Sequence, residues 1–173
     1  MQGFTFLSRK PMMLLGNFGA DKIGQPDPAG LEAFASERGM ALVAFCGAME
    51  MEIAELPVED RQPFRDDLGL GEESRAAFIT AAYDMLGLMS FLTAGEPEVR
   101  AWTIRKHTRA VDAAAVIHSD IQRGFIRAEI VAYGDFMASG GSMAKAKEHG
   151  KVRLEGKEYL MKDGDMVLFR FNV

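Results

Sequence analysis

Three groups of residues in this chain could do chemistry. "MLLGNFGADKIG" (Met13 to Gly24) runs from an apolar stretch into Asn17, Phe18 and a glycine-rich acidic loop. An asparagine at a strand end can read the edge of a base and bridge neighbouring loops; the same residue type is also a common turn former. Cys46-Gly47-Ala48 follows a second apolar run, and the backbone amides of so small a loop can lie against a base. Cys46 has no histidine or lysine beside it in sequence to stabilise a thiolate, so it reads as a buried, inert cysteine. The third group is basic: Arg100, Arg105, Lys106, Arg109, Arg123 and Arg127, with Trp102 and Phe125 among them. Guanidinium and ammonium groups contact phosphates and aromatics stack on bases. The alternative is a solvated face with Trp102 in the core.

Other chemistries lack their parts. A P-loop needs lysine followed by serine or threonine, and no lysine of this chain is so followed. Gly69 to Ser74, "GLGEES", is a broken glycine fingerprint that follows no strand and reads as a loop. The guanine-reading pattern Asn-Lys-x-Asp needs a carboxylate three residues after Asn17, where Ala20 stands. His118, Ser119 and Asp120 have the residue types of a hydrolase triad, but adjacent side chains rarely converge on one centre. His118 is expected to end a helix, its imidazolium favoured by the dipole. Three widely spaced histidines and a single cysteine form no metal motif. No catalytic residue and no metal is expected.

The elements that would position these groups change character part-way along. "PMMLLGN" and "MALVAFC" read as buried strands, "AGLEAFASERG" as the helix between them, with Pro26 and Pro28 breaking the chain before it. "AMEMEIAEL" reads as a short helix, "PVEDRQPFRDDLGL" as one that Pro63 must perturb. "GEESRAAFITAAYDMLGL" is amphipathic, with Phe78, Ala81, Ala82, Met85 and Leu86 on one face. This order predicts a parallel sheet covered by helices. From Met89, "MSFLTAG" and "EVRAWTIRK" predict a hairpin turning at Gly95-Glu96-Pro97. "TRAVDAAAVIHSDI" predicts a helix capped by Thr108, "FIRAEIVAY" a strand, and "KVRLEGKEYLM" and "MVLFRFNV" strands joined across "KDGD". Residues 1–88 carry 7 basic against 14 acidic side chains, and 89–173 carry 13 against 11. Such asymmetry suggests two parts with different partners. No apolar run approaches the roughly 18 residues of a membrane helix. The first residues show no signal-peptide pattern, so the cytoplasm is the expected compartment and no membrane partner is expected.

"AGEPEVRAWTIRK", "AAAVIHSDIQRGFIRAEIVAYGDF" and "GKVRLEGKEYLMKDGDMVLFRFNV" closely resemble the C-terminal portion of the Obg-like ATPases of the YchF type. "GFTFLSRKPMMLLGN" resembles the last part of that family's G domain. The resemblance implies an α/β remnant of a P-loop GTPase-like domain over 1–88, then an α+β ubiquitin-like β-grasp (TGS) domain over 89–173. It puts Asn17 on the asparagine of the family's Asn-x-x-Glu motif, Phe18 beside the base, and Cys46, Gly47 and Ala48 on the second base loop. Ala20 replaces the motif's glutamate. Full-length members bind ATP and Mg²⁺; this chain alone is expected to need no cofactor. The expected role is a non-catalytic module contacting RNA or the ribosome through Arg100, Arg105, Lys106, Arg109, Arg123 and Arg127. One alternative is the C-terminal piece of an ATPase active only with its N-terminal G-domain half. The other is a protein-interaction or regulatory β-grasp domain. The open sheet edge of the first part is expected to pair with the missing half or a second copy.

Overall fold

The computed structural model describes residues 6–23, 25, 29–70, 74–95 and 98–172. Pro26 and Pro28, Glu96 and Pro97, and the middle of the Gly69–Ser74 loop lie outside the described residues. The chain divides into two compact units, Met1–Leu86 and Gly87–Val173.

Unit 1 begins with a 3-10 turn (Leu7–Arg9), then β1 (Met13–Asn17), a second 3-10 turn (Ala20–Lys22), α1 (Leu31–Glu37) and β2 (Ala41–Phe45). Three helices follow: α2 (Gly47–Glu55), α3 (Val58–Asp67) and α4 (Ser74–Met85). β1 and β2 pair in parallel, Met13 opposite Ala41 through Asn17 opposite Phe45. Parallel neighbours need a crossover, and α1 supplies it. The register brings the ends of both strands, and the loops after them, to the same edge of the sheet.

Two helices of unit 1 bear on the expectations. α3 forms as expected and carries Pro63 in its interior, running on to Asp67. Its start is tied to the end of α2 by the Arg61 guanidinium, which donates from Nε to the Leu56 carbonyl (3.0 Å) and from an amino group to that of Ala54 (2.9 Å). The apolar face of α4 is incompletely covered: Phe78 and Leu86 are exposed and no described residue of the helix is buried. Two strands make too narrow a layer to cover a three-turn helix.

Unit 2 contains β3 (Leu88–Ala94), β4 (Val99–Arg105), α5 (Ala110–Ile117), α6 (Ser119–Arg123), β5 (Phe125–Ala132), α7 (Tyr133–Ala138), α8 (Met143–Glu148), β6 (Arg153–Glu155) and β7 (Asp165–Phe171). The sheet is mixed, in the order β4-β3-β7-β5-β6. The predicted hairpin forms, with Leu88 opposite Arg105 and Ala94 opposite Val99. β3 lies parallel to β7, and β5 is antiparallel to both β7 and β6. One face packs on α5, whose Ala110, Ala113 and Ala114 are fully buried against Phe91, Ala128 and Ile130. The small alanines let the helix approach the sheet closely. Val131 and Met166 point to the other face, against Phe136 of α7 and Ala146 of α8.

Unit 2 brings its own corrections. β6 and β7 do not pair across "KDGD"; they flank β5. The long predicted helix is interrupted at His118, whose extended backbone (φ −162°) separates α5 from α6. Its Nδ1 accepts the Asp120 amide N–H at 3.1 Å. His118 thus ends α5, as expected, and also caps the start of α6. Thr108 does not cap α5; its hydroxyl donates to the Arg105 carbonyl (2.7 Å). Gly124 admits no side chain, because a Cβ there would sit 2.1 Å from the Asn172 carbonyl oxygen.

Candidate functional site

In unit 1 the strand-end loops meet. Asn17 Oδ1 accepts the Gly47 amide N–H at 3.0 Å, so one side chain joins the end of β1 to the first residue of α2. That amide is one of the donors a helix start leaves without an internal partner. The Phe18 N–H donates to the Phe45 carbonyl (2.8 Å), prolonging the pairing one residue beyond β1. The Phe18 ring folds back over Gly16, where a Cβ would lie 2.5 Å from it, so a side chain there would displace the ring. Cys46 is buried and Ala48 exposed. Asn17, Phe18, Cys46, Gly47 and Ala48 are therefore neighbours in space. Ala20 opens the 3-10 turn that follows and offers no carboxylate.

Behind this loop lies a network that residue patterns did not reveal. Arg65 of α3 is buried and pairs with Glu50 of α2, and the Ser74 hydroxyl donates to the same carboxylate at 2.5 Å. Burial pushes the Glu50 carboxyl up, but hydrogen bonds from Ser74 and Arg65 and the arginine's charge together hold it below the usual range. These residues, with Cys46 and Leu70, line a cavity of about 220 Å³. Beside it a wider, mostly apolar hollow of about 390 Å³ is bounded by Leu15, Phe45 and Phe78. The loop offers hydrogen-bonding groups for a base edge, but the residues present do not fit a triphosphate with Mg²⁺. No lysine is followed by serine or threonine in the sequence. Among the described residues no three His, Cys, Asp or Glu side chains are placed to hold a metal ion.

In unit 2 the linear basic cluster comes apart. β4 ends at Arg105, at the end of the sheet where β7 begins, whereas Arg127 lies opposite Arg170, where β7 finishes. Arg105, Lys106 and Arg109 thus belong to one end, Arg123 and Arg127 to the other. Arg109 is held by Asp112 (2.8 Å) and Glu158 (3.2 Å), and these bonds raise its pKa further. Arg123 pairs with Asp120 (2.7 Å). Arg100 lies over the Trp102 ring, 4.1 Å from its centroid, with Glu98 3.7 Å away. The two aromatics belong to the core: Phe125 is buried, and Trp102 packs on Phe91 while its indole N–H donates to Thr93 Oγ1 (2.9 Å).

Arg127 has an unforeseen neighbour. Arg170 of β7 donates from Nε and an amino group to the two oxygens of Glu129, at 3.0 and 3.1 Å. An amino group of Arg127 reaches the same carboxylate at 3.5 Å. The Arg170 hydrogen bonds hold the Glu129 carboxyl below its usual range despite burial, assisted by the charges of Arg170 and Lys147. The alternation Val167, Phe169 inward and Leu168, Arg170 outward was the available signal for Arg170.

Comparison with known proteins bears on both units. Residues 88–172 match the family model YchF-GTPase_C, described as a protein of unknown function (DUF933). The "Ribosome-binding ATPase YchF" of Bacillus subtilis is 47% identical over 171 residues, covering 96% of this chain and 46% of the relative. The chain matches the C-terminal portion of the YchF-type Obg-like ATPases. It spans a little under half the length of these YchF relatives. "Obg-like ATPase 1" of Gallus gallus is 42% identical over 134 residues, 78% of this chain and 33% of that protein. Among solved structures, the YchF GTPase of Schizosaccharomyces pombe superposes with a TM-score of 0.77 at 29% identity, over 93% of this chain and 43% of that one. Full-length YchF relatives are thus named as nucleotide hydrolases. No helix among the described residues is long and apolar enough to cross a membrane.

Proposed function

We propose that this chain acts as the ribosome-contacting C-terminal region of a YchF-type ATPase, with unit 2 as a TGS β-grasp domain that binds ribosomal RNA. The carrying observation is that a relative 47% identical over nearly the whole chain is named ribosome-binding. The surface proposed for RNA comprises Arg100, Arg105, Lys106, Arg109, Arg123 and Arg127. Arg109 and Arg123 contribute least, since carboxylates already hold them. A ribosome partner implies the cytoplasm. Sedimentation of the purified chain with large ribosomal subunits tests the reading. Binding is expected to weaken by at least an order of magnitude between about 50 and 200 mM salt. It should also fall in the Arg100→Gln/Arg105→Gln/Lys106→Gln variant. Binding indifferent to salt and to these changes would favour a protein-interaction domain instead.

A second reading concerns unit 1 and rests on the Asn17–Gly47 bond, which presents two strand-end loops together. In it, unit 1 supplies the base side of a nucleotide site whose phosphate grip comes from another segment, completing the β1–β2 sheet. Alone, the chain should bind ATP weakly or not at all, because phosphate-binding loops carry much of the affinity. A low-micromolar ATP affinity for this chain by itself would overturn that expectation.

A further inference from the structure

The basic side chains of unit 2 differ in how far carboxylates neutralise them. Arg109 faces two carboxylates, Arg123 one, and Arg153 lies near both Glu155 and Asp165. The exception is at Glu129. There Arg127 and Arg170 stand directly opposite one another on β5 and β7 and share a single buried carboxylate. Like charges directly opposed across a sheet are destabilising. Glu129 offsets one of the two. The set carries a net surplus of one positive charge, and both arginine side chains are about half exposed.

We propose that Arg127 and Arg170 form a phosphodiester-binding site on unit 2, with Glu129 as the positioning residue. The proposal rests on the RNA reading above and deepens it by naming where the RNA backbone sits. Each guanidinium has five N–H donors in a fixed fork. Glu129 takes two of those of Arg170 and reaches one amino group of Arg127. The remaining donors on each fork suit phosphate oxygens, which arginine binds with two parallel bonds. Both forks stand on paired strands, and Glu129 fixes one of them, so little side-chain freedom is lost on binding. Leu154 and Leu168 lie opposite Glu129 on β6 and β7 and form an apolar row beside the arginines, lowering the local dielectric.

The test is fluorescence titration of the whole chain with a labelled single-stranded RNA of mixed sequence across a range of salt. Arg127→Gln leaves the Arg170–Glu129 pair in place, so its fold is secure. It should weaken binding several-fold and reduce the slope of log K against log salt by about 0.7, the loss of one phosphate contact. The Arg127→Gln/Glu129→Gln/Arg170→Gln variant removes all three charges together and should lower the slope by about 1.4. Its thermal unfolding, measured alongside, separates loss of binding from loss of fold. If both variants keep the full slope while Arg100→Gln/Arg105→Gln/Lys106→Gln loses binding, this site is wrong and the RNA reading stands. If the unaltered chain shows no salt-dependent RNA binding, both fail. If the variants instead lose binding to polyglutamate, which the unaltered chain binds in preference to RNA, the site belongs to an acidic protein and the proposal is overturned.

Discussion

In unit 2, Phe91, Ile130 and Val131 are fully buried, and layers of side chains lie on both faces of a five-stranded sheet. In unit 1 the sheet has two strands, while Leu15, Met51, Phe78 and Ile79 are exposed. Both units are made from ordinary apolar sequence, so the difference lies in architecture. A mixed sheet with helices on both faces can close over itself. A parallel pair has two open edges, and parallel sheets are stable mainly when both faces are covered. The basic side chains thus sit on a closed scaffold, and Asn17, Cys46, Gly47 and Ala48 sit on a two-stranded layer with open edges.

The sharpest way to break this comparison is to separate the units. Residues 87–173 expressed alone should unfold cooperatively in urea. Residues 1–86 alone should show no cooperative transition and should bind a hydrophobic dye; a sharp transition for that piece would end the argument. A smaller effect is expected from single core truncations. Phe91→Ala should destabilise unit 2 by about 3–5 kcal/mol, and Val43→Ala should destabilise unit 1 by about 1–2 kcal/mol, both read by chemical denaturation.

Acid should follow. Glu129 has a depressed pKa in the folded state, so its contribution is present above the unfolded carboxylate value and is lost as pH falls through the folded one. Unit 2 should therefore lose stability progressively below about pH 4.3. Glu129→Gln should flatten that dependence and cost about 2 kcal/mol at neutral pH, leaving Arg170 without its carboxylate. The smallest effect is Asn17→Ala, which removes one bond to a helix-start amide and should speed hydrogen exchange at the Gly47 amide of the whole chain several-fold, with unit 2 unchanged.

The sequence carried local information well and pairing information poorly. β1, α1, β2 and the β3–β4 hairpin were legible because apolar runs, helical spacing and a turn identify them without reference to distant residues. The partners of β6 and β7 were not legible: "KDGD" marks a turn, but register against β5 is decided by side chains far away in sequence. The helix runs on past Pro63, and Arg61 and Arg65 of α3 tie it to α2 and the residue after it, contacts between distant residues that no local pattern shows. At the site, Asn17 and Cys46-Gly47-Ala48 were found as strand ends, and the parallel register brings them together. The basic cluster was drawn along the chain, so Arg170, 43 residues beyond Arg127 but opposite it in the sheet, was missed.

The position of β7 also bears on how the protein is made. It comes last among the described strands, yet it joins β3 to β5 at the middle of the sheet. Without it, the described strands of unit 2 form only two separate pairs, β3 with β4 and β5 with β6. A nascent chain stalled at Gly164 would expose the apolar faces of both pairs, with aggregation as the hazard. The order of translation therefore sets a window of vulnerability that closes only when seven residues, Asp165–Phe171, are in place.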